Sequence, residues 1–82
     1  MKAIEWTEPA LADMAALDKT VRVRVQQAVE RLAASGGGDV VRLQGVDPPE
    51  YRLRVGDWRV RFAQDAETIQ ILRVKHRREA YR

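Results

Sequence analysis

The feature that most constrains the fold of this sequence is the stretch YRLRVGDWRVRF at residues 51–62, in which apolar and basic residues alternate. Successive side chains of a β-strand point to opposite faces, so a two-residue period predicts strands with one apolar face and one basic face. Gly56 and Asp57 interrupt the alternation with a pair of residues typical of a tight turn. The stretch therefore predicts an antiparallel hairpin whose apolar face must be covered by other elements.

Two helices are predicted in the N-terminal half, after a short strand at residues 2–6. Thr7 is a suitable N-cap for the first helix, over residues 8–17, where apolar residues recur at helical spacing. Asp18 is a plausible cap for the second helix, which is expected to end at the three consecutive glycines of residues 36–38. The two helices are expected to form an antiparallel hairpin.

The C-terminal half predicts strands. Residues 39–50 contain a glycine and two prolines and predict a loop. A turn at residues 64–67 precedes another strand at residues 68–74, and residues 76–81 predict a short C-terminal helical turn. The order β-α-α-β-β-β predicts an α+β fold: a small antiparallel sheet of about four strands with a two-helix hairpin packed on one face.

The length of 82 residues predicts a single domain over residues 1–82. The chain has no cysteine and one histidine, so it lacks thiolate ligands for zinc, and neither a metal nor another cofactor is expected. No apolar run has the length of a signal peptide or a membrane span, which indicates a cytoplasmic protein without a membrane partner.

Positive charge is concentrated in the second half of the chain. Residues 1–41 contain five basic and six acidic residues, whereas residues 42–82 contain ten basic and six acidic residues, and nine of those ten are arginines. The planar guanidinium of arginine binds phosphate at two points and stacks on nucleic-acid bases. This distribution indicates a polyanion as a binding partner.

A two-residue turn at residues 56–57 predicts that the hairpin arginines face each other in two pairs: Arg54 with Arg59, and Arg52 with Arg61. Like charges directly across a strand pair destabilise it, so this arrangement favours a binding function. The alternative interpretation is a solvated face on which carboxylates neutralise the arginines. The candidate carboxylates are Glu50, Asp57 and Glu67.

The C-terminal segment adds further candidate site residues. His76 is titratable, and Arg77 and Tyr81 are four residues apart, so they share one face of a helical turn. Phosphate-binding arginines, an aromatic ring that can stack on a base, and titratable groups together suit RNA backbone cleavage, in which a 2′-hydroxyl attacks the adjacent phosphate.

The stretches YRLRVGDWRVRF and ILRVKHRREAYR, the latter at residues 71–82, resemble the RelE/ParE superfamily of toxins from prokaryotic type II toxin–antitoxin systems. The resemblance implies a toxin that a cognate antitoxin neutralises. For the RelE branch it implies an mRNA interferase, a ribosome-dependent endoribonuclease that cuts mRNA in the ribosomal A site. For the ParE branch it implies inhibition of DNA gyrase without nuclease activity.

The resemblance also implies site residues. Arg59, Arg77 and Tyr81 match the arginines and the terminal tyrosine of the RelE branch, which the gyrase-inhibiting relatives generally lack as a full set. This match favours the mRNA interferase, with the gyrase inhibitor as the alternative and a plain nucleic-acid-binding module as a third hypothesis.

The positions of Arg52 and Arg54 carry lysines in the best-known RelE proteins, and one of those lysines is implicated as the base. Arginine does not accept the 2′-hydroxyl proton, because it stays protonated in proteins. Two alternatives remain for the catalysis. Either His76 serves as the base, or the arginines act mainly by positioning the phosphate and stabilising its charge. Arg52, Arg54, Arg61 and Arg78 are the expected phosphate-binding residues.

Overall fold

The fold is seen in a computed structural model that describes residues 1–79. Seven elements follow one another in the order β-α-α-β-β-β-β. They are β1 (Ala3–Trp6), α1 (Glu8–Ala15), α2 (Lys19–Ser35), β2 (Asp39–Arg42), β3 (Tyr51–Val55), β4 (Trp58–Gln64) and β5 (Thr68–His76). The five strands form one sheet in the order β1-β5-β4-β3-β2, so β1 and β2 are its edge strands.

The predicted α+β class, with helices packed on a sheet, is confirmed, and two details differ. β2 lies within the segment predicted as a loop and adds a strand, because its residues pair with β3 in antiparallel register. β1 pairs with β5 in parallel register, so the sheet is mixed. A four-residue strand is too short to show a period, and strand direction depends on the route of the chain rather than on side-chain pattern.

Helix α1 begins where Thr7 caps it. The Thr7 Oγ1 accepts a hydrogen bond of 3.4 Å from the N–H of Ala10 and donates one of 2.7 Å to the carbonyl oxygen of Ile71 in β5. The cap thus satisfies a helix terminus and ties it to the sheet. The helix ends at Ala15, two residues before the predicted end, and Leu17 packs against the core from the connection to α2.

Helix α2 has the predicted caps at both ends. The Asp18 carboxylate accepts a hydrogen bond of 3.0 Å from the N–H of Val21. Gly36 adopts a left-handed conformation with φ of 75°, and its N–H donates to the carbonyl oxygen of Leu32 at 2.8 Å, which ends the helix. Within residues 1–79, no helix is both long and apolar enough to cross a membrane.

One apolar core lies between the helices and the sheet. The side chains that are buried in it come from both helices and from strands β3, β4 and β5: Ala10, Met14, Val25, Val29, Leu32, Ala33, Leu53, Val60, Phe62, Ile69, Ile71 and Val74. Phe62 is fully buried and stacks on Tyr51 with ring centroids 5.5 Å apart. Trp6 and Trp58 lie at the margin of this core. The apolar sheet residues therefore face the helices, and the residues between them face the other way.

Candidate nucleic-acid interface

Two rows of basic side chains cross three strands on the face of the sheet that is opposite the helices. We call this surface the basic face, and its two rows are Arg52–Arg61–Arg73 and Arg54–Arg59–Lys75 across β3, β4 and β5. The register confirms the two facing arginine pairs that the hairpin predicts. It also adds a third basic residue to each pair, so six cations occupy adjacent positions.

The third members of the rows, Arg73 and Lys75, were missed as site residues. A β-bulge interrupts the register of β4 and β5, so that Phe62 pairs with Ile71 while Arg61 pairs with Arg73. The extra residue breaks the two-residue period and hides which face the later residues occupy. The sequence signal that could have found them is the alternation Arg73-Val74-Lys75, in which both flank an apolar residue.

Arg59 lies in the middle of its row and is only 8% exposed. Its Nη1 donates hydrogen bonds to two carbonyl oxygens of the β3–β4 turn, that of Gly56 at 2.8 Å and that of Trp58 at 3.1 Å. The guanidinium therefore fastens the turn, and little of it is available to a ligand.

Arg61 forms an ion pair with Glu50, which immediately precedes β3. This contact confirms the alternative interpretation for one arginine, since a carboxylate neutralises it. The Arg61 Nε is buried without a hydrogen-bond partner. Of the other two candidate carboxylates, Asp57 lies near Arg77 rather than near a hairpin arginine, and Glu67 forms no ion pair within residues 1–79.

Asp13 of α1 reaches the β5 end of both rows. Arg73 donates to its two carboxylate oxygens, from Nε at 2.9 Å and from Nη2 at 3.2 Å. The Lys75 Nζ lies 3.7 Å from Oδ1, and the N–H of Val74 donates to Oδ2 at 2.9 Å. β1 pairs with β5 only as far as Ile71, so α1 covers the next part of that strand edge.

The pKa of Asp13 reflects this position. Partial burial alone raises the pKa of the Asp13 carboxyl, but the hydrogen bonds from Arg73 and Val74 and the charges of Arg73 and Lys75 outweigh it and hold the pKa below its ordinary value. The hydrogen bond to Asp13, and then its charge, raise the pKa of Arg73. Asp13 is therefore ionised wherever the protein is folded near neutral pH.

The segment after β5 is attached to the same β3–β4 turn. The backbone N–H of Arg77 donates to the carbonyl oxygen of Asp57 at 2.7 Å, and the Arg77 Nε lies 3.9 Å from the Asp57 carboxylate. The N–H of Glu79 donates to the carbonyl oxygen of His76 at 2.8 Å, so a turn begins where the helical turn was predicted. Both Arg77 and Arg78 are exposed at this end of the basic face.

His76 packs edge-on against the ring of Trp58, with centroids 5.3 Å apart and planes at 89°. Its Nδ1 accepts a hydrogen bond of 3.3 Å from the N–H of Arg78. A neutral imidazole that accepts at Nδ1 carries its proton on Nε2, so the free nitrogen is a donor. In this tautomer Nε2 is able to donate to an anion, and the role of His76 as the base stays a prediction.

The predicted site residues are thus brought together in part. The exposed cations lie near the β3–β4 turn, where Arg54, Arg77 and Arg78 surround the ends of the hairpin and of β5. Arg52 and Arg61 continue the surface along β3 and β4. Tyr81 was also predicted as a site residue and lies outside the described residues. The arrangement is suited to bind phosphates and to stabilise negative charge.

Three comparisons place this geometry among known proteins. Residues 4–81 match the sequence model of the family described as "ParE toxin of type II toxin-antitoxin system, parDE". No curated protein sequence matches the chain significantly. Several solved structures share its fold at sequence identities below 25%.

Among these structures is a chain of the archaeal RelE-RelB complex from Pyrococcus horikoshii OT3, with a TM-score of 0.79 and 24% identity over 96% of this chain and 98% of that chain. The YoeB dimer from Staphylococcus aureus gives a TM-score of 0.76 and 19% identity over 92% and 95% of the two chains. A chain of the chromosomal ParDE system from P. aeruginosa gives a TM-score of 0.70 and 22% identity over 93% of this chain and 96% of that chain. Because the family match spans nearly the whole sequence and these folds agree with it, the protein belongs to the ParE toxin family of type II toxin–antitoxin systems, within the RelE/ParE superfamily.

Proposed function

We propose that this toxin is an mRNA interferase of the RelE type, a ribosome-dependent endoribonuclease that cuts mRNA in the ribosomal A site. The observation that carries the proposal is the register of the basic face, which puts six cations into two cross-strand rows. Three of them lie beside a carboxylate of the same chain, whereas Arg54 is exposed and forms no ion pair within residues 1–79. Adjacent like charges destabilise a sheet, and a surface that needed only solubility would alternate their signs. The negative charges of a nucleic-acid backbone would neutralise the positive charge of such a surface.

The proposed chemistry is transesterification at a phosphate of the message. The 2′-oxygen bonds to phosphorus and the 5′-oxygen leaves, which gives a 2′,3′-cyclic phosphate and a 5′-hydroxyl end, while water takes the first proton and supplies the second. Arg77 stabilises the negative charge that develops on the phosphate oxygens, and the Nε2–H of His76 donates to one of them. Arg54 and Arg78 hold the neighbouring phosphates.

The remaining residues have supporting roles in the proposal. Arg52 and Arg61 contact the message along β3 and β4, and Tyr81 stacks on a base. Arg59 fastens the β3–β4 turn that holds Arg77, in line with its two bonds to turn carbonyls. Catalysis then depends on positioning and charge stabilisation rather than on a strong base.

The partner that controls the toxin is proposed to be a cognate antitoxin. The similar chain from Pyrococcus horikoshii OT3 belongs to a RelE-RelB complex, and a similar chain from Methanococcus jannaschii belongs to a RelB-RelE antitoxin-toxin complex. An antitoxin segment with acidic and apolar residues would neutralise the exposed arginines and bury apolar surface. Copurification of the toxin with the product of the adjacent reading frame tests this partner.

Inhibition of DNA gyrase is the second candidate function. The specific observation in its favour is the family match, since the matching sequence model is that of ParE toxins. Arg52 and Arg54 stand at the positions of the lysines of the RelE branch, and they do not serve as the base that a fast nuclease needs, because arginines stay protonated. These points favour a toxin that acts by binding alone.

Primer extension on a translated message, with purified ribosomes and toxin, separates the two functions when a gyrase supercoiling assay is run beside it. We expect the toxin to cut the message only during translation. Arg77→Ala should lower the cleavage rate about 100-fold to 1000-fold, the usual effect of removing one such electrostatic donor. Arg42→Ala is the matched control, because Arg42 is exposed on β2 opposite Tyr51, at the end of β3 away from the β3–β4 turn.

Supercoiling that is blocked while the translated message stays intact would overturn the nuclease proposal and support gyrase inhibition. Equal loss of cleavage in Arg77→Ala and Arg42→Ala would show that total charge, rather than the site, governs activity. Circular dichroism of each variant establishes that it is folded before rates are compared.

A further inference from the structure

Asp13 belongs to α1 and not to the basic face, yet its single carboxylate binds Arg73, the last cation of one row, and lies 3.7 Å from Lys75, the last cation of the other. Its Oδ2 accepts the N–H of Val74 while both oxygens accept from Arg73, so the carboxylate is fixed by backbone and side chain together. The Asp13 side chain is only 13% exposed. Paired guanidinium and carboxylate groups with two parallel hydrogen bonds are among the strongest ionic contacts. Arg73 and Lys75 are therefore held by an internal anion.

The exposed cations beside the β3–β4 turn have no comparable anion within residues 1–79. Arg54 and Arg78 are exposed and form no ion pair within the part of the chain that the structure describes. Arg77 meets only the carboxylate of Asp57, at 3.9 Å, with both side chains more than half exposed. Such a pair is screened by solvent and competes weakly with a phosphate. The positive charge that remains for a ligand lies at the β3–β4 turn.

We infer that Asp13 is a positioning residue of the nucleic-acid interface, which withdraws Arg73 from phosphate binding and so directs the phosphate chain to the cations beside the β3–β4 turn, Arg54, Arg77 and Arg78. This inference rests on the proposed function, because it assumes that the basic face binds a nucleic acid. Arg59 is buried and Arg61 is paired with Glu50. The pairing of Arg73 with Asp13 therefore leaves the cations beside the turn as the ones that a phosphate chain meets.

The salt dependence of binding tests the inference, because it reports how many cations neutralise phosphates. The logarithm of the affinity for single strands falls by about 0.7 per logarithmic unit of salt for each phosphate neutralised. The probe is a short single-stranded RNA with methylated 2′-hydroxyls, which the toxin cannot cleave. Affinities are measured by fluorescence anisotropy over a range of KCl concentrations, for variants shown to be folded by circular dichroism.

We expect Arg54→Gln to reduce the slope by about 0.7 and Asp13→Asn to steepen it by about 0.7, which corresponds to the one unit of charge that the carboxylate neutralises. Asp13→Asn combined with Arg73→Gln removes both members of the pair and should leave the slope unchanged. Glu30→Gln, which removes an exposed carboxylate from α2, is the matched control and should leave the slope unchanged.

A double variant that flattens the slope as much as Arg54→Gln, or an Asp13→Asn variant that leaves the slope unchanged, would overturn the role of Asp13 and leave the nucleic-acid interface intact. Absence of salt-dependent binding by the unaltered toxin would instead contradict the interface itself. If Asp13→Asn fails to fold, the double variant still decides the question, because it removes both charges of the pair and leaves neither without its partner.

Discussion

The backbone N–H of Arg77 is fixed to the carbonyl oxygen of Asp57 at 2.7 Å, while the charged groups of the same two residues lie 3.9 Å apart. This backbone hydrogen bond places Arg77 beside the β3–β4 turn independently of the side-chain contact. The side-chain contact is exposed and can open without disturbing that placement. Asp57 is therefore a weak local competitor for any phosphate that Arg77 binds.

Removing the charge of Asp57 tests this relationship. We expect Asp57→Asn to change the free energy of unfolding by less than about 0.5 kcal/mol, because exposed ion pairs contribute little. RNA affinity should rise by up to about fivefold, since two unit charges 4 Å apart in water interact by about 1 kcal/mol. In an Arg77→Gln background the same substitution should have a smaller effect, which anisotropy with the uncleavable RNA measures.

The pH dependence of stability should report the carboxylate of Asp13. Its pKa is lowered in the folded protein, so its stabilising contribution is present at neutral pH and is lost as the pH falls below about 4 and through the lowered value. Asp13→Asn should destabilise the protein by about 1 to 3 kcal/mol at pH 7 and by much less at pH 3. Urea unfolding at both pH values measures this, with Glu30→Gln as control. An equal loss at both pH values would contradict the ionic origin of the effect.

Thr7 should matter for two contacts at once. Thr7→Ala removes the cap of α1 and the hydroxyl that donates to Ile71, so it should lower the free energy of unfolding by about 1 to 2 kcal/mol. Thr7→Ser keeps the hydroxyl and should lose clearly less. Chemical denaturation of the two variants decides the matter, and equal losses would mean that the methyl group rather than the hydroxyl is important.

Gly38 is expected to be the glycine least tolerant of a side chain. Its φ is 137°, and an added Cβ would lie 2.8 Å from Cδ1 of the buried Leu53. Gly36 has a φ of 75° with open space around its Cβ position, so Gly36→Ala should cost only the backbone strain of about 1 to 2 kcal/mol. Gly38→Ala should cost at least about 1 kcal/mol more, because it overpacks the core. Thermal unfolding of both variants provides the comparison.

The parts of the fold that depend on neighbouring residues were predictable from the sequence. The period of residues 51–62 predicted the hairpin and its facing arginines, and the identities of Thr7 and Asp18 predicted the helix starts. Each of these signals lies within a few residues of the contact that it specifies. The RelE/ParE resemblance rested on the same local stretches.

The parts that join distant segments were not predictable. Asp13 contacts Arg73, which lies 60 residues later in the sequence. Nothing in the local sequence around Asp13 indicates that contact. Arg59 is buried because its side chain donates to the carbonyl oxygen of Gly56 in the preceding turn. The alternation of residue types in the sequence does not show this contact. The parallel pairing of β1 with β5 depends on the path that the chain takes through the two helices before it enters the sheet again. Such contacts are determined by tertiary packing and have no local period.

The arrangement of the sheet edges bears on the solubility of the free toxin. The two edge strands, β1 and β2, have four residues each, whereas β5, with nine, is covered first by β1 and then by α1. Long unpaired strand edges are templates for association with other sheets, and short or covered ones are poor templates. A chain with this layout offers little backbone for edge-to-edge aggregation.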